Sequence, residues 1–218
     1  MREDAHFTPD LFELLRQLKR HNNRDWFRRN KARYEQLVRD PALLFITAAI
    51  PRLSRLSKMP QLRGSLFRIY RDIRFSSDKR PFKTHVGIQF SYATTKDAHA
   101  PCYYLHLEPD GCFVAAGVWH PDASALVQIR SAIVSNPGLW KRVRRRLELQ
   151  GDKLVRPPRG FDPAHPFIED LKSKDFITSL DFRESQVCGP RFIQDFLDTC
   201  RKMTPLVEFT AKAMEVEP

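Results

Sequence analysis

The sequence predicts an α+β fold, a mainly antiparallel β-sheet flanked by N-terminal and C-terminal helices. Apolar residues recur at helical spacing near both ends of the chain, whereas the middle alternates in period two. A strong turn, Pro109-Asp110-Gly111, joins two of the alternating runs. With 218 residues, 42% of them hydrophobic, the chain has a common length for one domain and enough apolar material for a sizeable core. No repeat, low-complexity tract or long linker divides it. We therefore expect one α+β domain over residues 1–218, helical over 8–58, strand-rich over 64–120, and helical with short strands over 121–215.

The first helix is expected to start at Thr8-Pro9, with Thr8 as N-cap and Pro9 at the first helical position. Its stripe is Leu11, Leu14, Leu15 and Leu18. Asn22 is expected to cap a second helix, with Asp25 as its capping-box partner, which carries Trp26, Phe27, Tyr34, Leu37 and Val38. A third begins near Pro41 and runs through Leu43, Leu44, Ile46 and Ile50, with Pro51 ending or kinking it. Leu66 to Phe75 and Thr84 to Tyr92 both alternate as strands. Tyr103–Glu108 and Cys112–Trp119 form the hairpin; Tyr103, Leu105, Leu107, Phe113 and Trp119 are assigned to the core, with Tyr104, His106 and Glu108 opposite. Helices are expected at Pro121–Ser135 and Gly138–Leu149, a short strand at Phe176–Glu184, and a last helix from Pro190 that Thr204-Pro205 kinks or restarts.

The formal charge of +11 is regional. Residues 52–83 hold ten Lys/Arg and two Asp/Glu, residues 139–160 eight and two, and residues 161–218 seven and eleven. Regional positive charge attracts anions, or simply solvates a surface. Residues 1–30 lack the apolar core of a signal peptide, and the most apolar run, Leu43 to Ile50, is far too short to span a bilayer. Cys102, Cys112, Cys188 and Cys200 contain no Cys-x-x-Cys pair, so free thiols and a reducing, cytoplasmic setting are expected, without membrane insertion.

The segment from Arg68 to His85 concentrates the chemistry. It holds Arg68, Arg71, Arg74, Lys79, Arg80 and Lys83 together with Asp72 and Asp78. On a strand, Arg68, Asp72 and Arg74 share one face, where guanidinium forks suit phosphate or carboxylate oxygens. Arg71 falls on the apolar face and needs a partner: an acid (Asp78 or one elsewhere in the chain), backbone carbonyls or a bound ligand. Candidate ligand-binding residues are thus Arg68, Arg71, Arg74, Asp78, Lys79 and Lys83. Asp72, His85 and His106 are the candidates for acid–base chemistry. His106 and Glu108 share a face and, with His85 or His120, would make a metal-ligand set; His99 lies nearby in a loop. No tight ligand motif occurs, so neither a metal nor a cofactor is expected.

The run Arg68-x-x-Arg71-Asp72-x-Arg74-Phe75, followed by Asp78-Lys79-x-Pro81-Phe82-Lys83-Thr84-His85, resembles the signature of a family of bacteria and some fungi, domain of unknown function 2461. Asn23-Arg24-Asp25-Trp26-Phe27, Gly111-x-Phe113-x-x-x-Gly117-x-Trp119-x-Pro121 and Pro158-Arg159-Gly160-Phe161 match as well. The resemblance covers nearly the whole chain. It implies a shared architecture and no particular activity. Where this chain has Phe82 the family often has tyrosine.

These residues point first to a pocket protein, possibly an enzyme, for a small phosphorylated or carboxylated ligand. A nucleic-acid surface made of the 52–83 segment and Lys141-Arg142-Val143-Arg144-Arg145-Arg146 is the second reading. A scaffold whose charge cluster is purely structural is the third. Paired aspartates favour the first, because a phosphate-backbone binder has less need of them. Oligomeric state is not legible in the sequence.

Overall fold

The computed structural model describes residues 6–57, 62–74, 76–92 and 99–215. Four strands follow an N-terminal helical layer and a fifth comes late. They are β1 (Leu62–Leu66), β2 (Val86–Tyr92), β3 (Cys102–Leu107), β4 (Cys112–Val118) and β5 (Phe176–Phe182). They form one antiparallel sheet in the order β1-β2-β3-β4-β5. The helices that open the chain are α1 (Pro9–Arg20), α2 (Arg24–Tyr34) and α3 (Asp40–Ser57), with a π-helical turn at Glu35–Arg39. After β4 come α4 (Ala123–Ser135), α5 (Pro137–Arg144) and the single-turn α6 (Ile168–Leu171). After β5 come the short α7 (Glu184–Val187) and the long α8 (Phe192–Ala213). No described helix is long and apolar enough to cross a membrane.

One sheet face is covered by helices, with α3 against β1 and β2 and α8 against β3, β4 and β5. Val86, Ile88 and Phe90, Tyr103, Leu105 and Leu107, and Val114 and Val118 point into that core. Phe45, Phe192 and Phe196 meet them from the helices. The stripe of α1 is buried as expected, including Leu11, Leu14, Leu15 and Leu18. Both interior prolines are passed without a break, because Pro51 and Pro205 and the residues four positions earlier, Thr47 and Arg201, are all exposed. An exposed carbonyl left without its amide donor can take a hydrogen bond from solvent instead. In α3 the core positions are Ala42, Phe45, Ile46, Ala49 and Leu53; Leu43 and Leu44 face outward.

Several expectations are corrected. Thr8 sits at the N-cap of α1 without a side-chain hydrogen bond. The cap of α2 is Asn23, whose side chain accepts from the Trp26 amide, not Asn22. The helix expected to run to Leu149 ends at Arg144. Phe113 and Trp119 are not core. Residues paired across an antiparallel ladder share a face, and His106 pairs with Phe113, so the core-facing parity switches from odd on β3 to even on β4. The largest correction is Leu66 to Phe75. The strand ends at Leu66, and residues 67–74 and 76–85 form an excursion, with Phe75 outside the described residues. Beyond Leu66 the segment belongs to no described strand of the sheet and bridges its own return limb at Tyr70 and Phe82. Instead Ile69 turns into a small separate core with Leu18, Phe27 and Phe82.

All four cysteines are free thiols, Cys112 and Cys200 buried.

Candidate functional site

Among the described residues no helix lines the outer sheet face where β2, β3 and β4 cross its centre, and the ladder sets its rows. Gly87, His106 and Phe113 lie side by side, as do Gln89, Tyr104 and Ala115, and then Ser91, Cys102 and Gly117. Large rings alternate with Gly87, Ala115 and Gly117, and the small residues leave room. A cavity of about 470 Å³ opens there, lined among others by Tyr104, His106, Phe113, Gly117, Trp119 and Ile177. Lys83 and His85 close one side.

The 67–85 excursion forms that side. The Phe67 amide still donates to Gly87 O, and the Phe67 ring packs on Tyr104. The excursion then pairs with itself: Arg71 N donates to Pro81 O, Lys83 N donates to Ile69 O, and Tyr70 bridges Phe82. Its stem is tied to the helical layer through Asn22 and the small core. Asn22 donates to Phe82 O at 2.9 Å and accepts from Phe82 N at 3.0 Å. The Phe82 ring stacks on Phe27 at 4.2 Å. Position 82 is thus an anchor in the small core, which an aromatic ring serves without a hydroxyl.

The basic residues divide into two groups. At the tip, Asp78 holds Arg71 at 2.6 Å and Arg80 at 2.6 Å, Asp72 holds Arg74 at 2.7 Å, and Lys79 donates to Ile73 O. Hydrogen bonds from the Arg74 side chain and backbone bring the Asp72 carboxyl down to about 2. Those from Arg80, with further help from Arg71, push Asp78 lower still. Phe67, Arg68, Tyr70, Asp72 and Lys83 instead border a second cavity of about 420 Å³, which meets the first at Phe67 and Lys83. The Lys83 ammonium lies over the Phe67 ring, 5.2 Å from its centre. Burial, then the positive charge of Arg68, lower its pKa.

The structure brings His85 and His106 together, with ring centres 4.4 Å apart. The acid beside them is Glu108, whose Oε2 is 3.4 Å from His106 Nε2. Asp72 is engaged by Arg74 instead. Tyr104 OH contacts His106 Nδ1 at 3.2 Å, and Phe113 stacks flat on the His106 ring at 4.7 Å. Thr84 donates to Glu108 Oε1 at 2.9 Å, and Lys19 approaches the same oxygen at 3.8 Å. Burial brings the His85 pKa down to about 4, with the His106 charge adding to the effect; burial also lowers His106, against the pull of Glu108. Both rings are therefore neutral near pH 7. His120 is turned away and held by Asp175 at 3.1 Å, and His99 Nδ1 meets Trp119 O at 3.0 Å.

Residues 10–209 match the family model described as "Conserved hypothetical protein (DUF2461)". The chain belongs to this family. A comparison with curated proteins finds no match. In this DUF2461 chain the signature run from Arg68 to His85 supplies both an ion-paired tip and one wall of the cavity. Tyr104, Phe113, Cys102, Gln89 and Ile177 were not expected in a site from sequence. The signal for Phe113 was present: residues 113, 115, 117 and 119 read Phe-Ala-Gly-Trp, a face with small residues between rings, which suits a cavity better than a core.

The tip has its own pH signature. Asp72 and Asp78 have depressed folded values, so their contribution is complete above the ordinary carboxylate value of about 3.9 and drains away as pH falls through the depressed ones. In a carboxyl-carbon NMR titration both residues should still be ionised at about pH 3. A midpoint near 4 for Asp78 would mean that Arg71 and Arg80 do not grip it.

Proposed function

We propose that the chain is a pocket protein that binds a small organic anion, phosphorylated or carboxylated, with an apolar body, on the outer face of the sheet. The observation that carries this is the pair of adjoining cavities, one aromatic and one cationic, meeting at Phe67 and Lys83. Among the described residues, neither Arg68 nor Lys83 has an acid within ion-pair distance, and the two repel each other. Arg68 and Lys83 on one cavity wall, beside an Asp72 already bound to Arg74, gain most from an anion that fills it. Arg71, Arg74, Asp78 and Lys79 hold the excursion in shape and leave recognition to Arg68 and Lys83. Any chemistry on the bound anion would fall to His85 and His106 with Glu108. The nucleic-acid reading is weaker, because Arg71, Arg74 and Arg80 of the first basic segment and Arg144 of the second are taken by Asp78, Asp72 and Asp170. Free thiols fit a cytoplasmic setting.

Titration calorimetry with phenyl phosphate and with phenol tests this reading. Phenyl phosphate should bind and phenol should bind far more weakly. Lys83→Gln and Arg68→Gln should each weaken phenyl phosphate about tenfold, the loss of one charged hydrogen bond. Equal binding of both probes, or undiminished affinity in both variants, would overturn the proposal.

A further inference from the structure

We propose that His85, His106 and Glu108 bind a divalent transition-metal ion of the zinc class. One nitrogen from each histidine and one carboxylate oxygen all lie within 4.8 Å of one another. The 3.4 Å between His106 Nε2 and Glu108 Oε2 is long for a hydrogen bond but close to the ligand–ligand edge of about 3.3 Å around a tetrahedral ion with bonds near 2.0 Å.

What stands behind the ligands strengthens the assignment. With Nε2 directed at the ion, His106 carries its proton on Nδ1, where the Tyr104 hydroxyl receives it at 3.2 Å. With Oε2 directed at the ion, Glu108 keeps Oε1 for the Thr84 hydroxyl at 2.9 Å. Outer partners of this kind fix the tautomer and aim the lone pairs. Phe113 holds the His106 ring plane by flat stacking. The ligands also come from rigid places, His106 on β3, Glu108 just after it and His85 just before β2.

Two imidazoles with one carboxylate suit zinc, cobalt or nickel rather than magnesium or calcium, which prefer oxygen ligands throughout. Three protein ligands leave at least one coordination position open. His85 and His106 both line the larger cavity, so that position faces the pocket, where a water or an anionic group can take it. This site shares no residue with the Arg68–Lys83 pair and can stand or fall without it.

The test uses the full chain stripped with a chelator and titrated with Co²⁺ and Zn²⁺ alone, no organic ligand present. One ion per chain should bind, Co²⁺ should show the visible bands of a low-coordinate site, and Zn²⁺ should raise the melting temperature. Glu108→Gln, nearly the same shape, should stay folded by circular dichroism and lose the visible bands and the thermal shift. His85→Ala should do the same. Tyr104→Phe should weaken the metal about tenfold while keeping one ion per chain. His165→Ala removes a histidine whose ring accepts from the Phe167 amide rather than joining this group, and should keep one ion per chain and the visible bands. Substoichiometric, featureless Co²⁺ binding would overturn the proposal, as would bands that survive in both Glu108→Gln and His85→Ala.

Discussion

Gly117→Ala is expected to lower the melting temperature by about 10 °C, the largest effect of any single methyl group in this sheet. Gly117 has φ +118°, a conformation L side chains rarely adopt. A Cβ built there would lie 2.0 Å from Phe176 O and 3.0 Å from Phe176 C. Both are backbone atoms of β5, so no rotamer change relieves the clash; β4 and β5 must separate where Gly117 pairs with Ile177. Backbone strain and overpacking together give a cost of about 4 kcal/mol, a large part of a typical domain's stability. The same shift displaces Ile177 and the approach to Trp119, which wall the cavity. Thermal unfolding followed by circular dichroism measures it. Gly138→Ala is the control: its Cβ would meet nothing within 4 Å, and on helix α5 it should be neutral or slightly stabilising. Two variants melting within about 2 °C of each other would remove the close approach of β5 from the account.

How far the sequence revealed this molecule depended on whether each signal was local. The α1 stripe, the hairpin turn and β5 follow from neighbouring residues, and all three stand where expected. Side-chain alternation is also local, but a strand exists only where another strand accepts it. Leu66 to Phe75 alternates as well as β3 does, yet the chain leaves the sheet after Leu66 because Ile69 and Phe82 find Leu18 and Phe27, some fifty residues earlier. Hairpin parity is lost in the same way: odd positions were carried through the turn, although His106 pairs with Phe113. The candidate site was half legible. Composition locates the 68–85 segment and leaves Arg71 several possible partners, of which Asp78 is the one it meets. Which cations stay unneutralised depends on rotamers and burial, which spacing does not encode. His106 and Glu108 were placed on one face, and His85 rather than His120 completes the group because Asp175 holds His120.

Asn22→Ala should release the excursion while leaving most of the fold in place. Asn22 reads in the sequence as a helix cap, but that task belongs to Asn23; its amide instead satisfies both backbone groups of Phe82. Phe82 is only 2% exposed, so water cannot replace either bond without opening the small core. Removing the amide leaves a buried N–H and a buried C=O without partners, at a cost of about 2 kcal/mol in local stability. Phe27 keeps its stacking on Phe82, so the loss should concentrate in the excursion and spare the sheet. Exchange of the Arg71 and Lys83 amides, whose bonds to Pro81 and Ile69 close the stem, should then quicken about thirtyfold, while the β3 amides stay slow. Lys83 and Arg68 would no longer be held over the cavity before a ligand arrives, and affinity for phenyl phosphate should fall with them. Asn23→Ala separates this from damage to helix α2: it removes a cap worth about 1 kcal/mol and should leave both the Lys83 amide and the affinity unchanged. Equal losses in the two variants would place the anchoring in the helix as a whole, and an unchanged Lys83 amide in Asn22→Ala would mean that Phe27 alone keeps the cationic wall in register with the sheet.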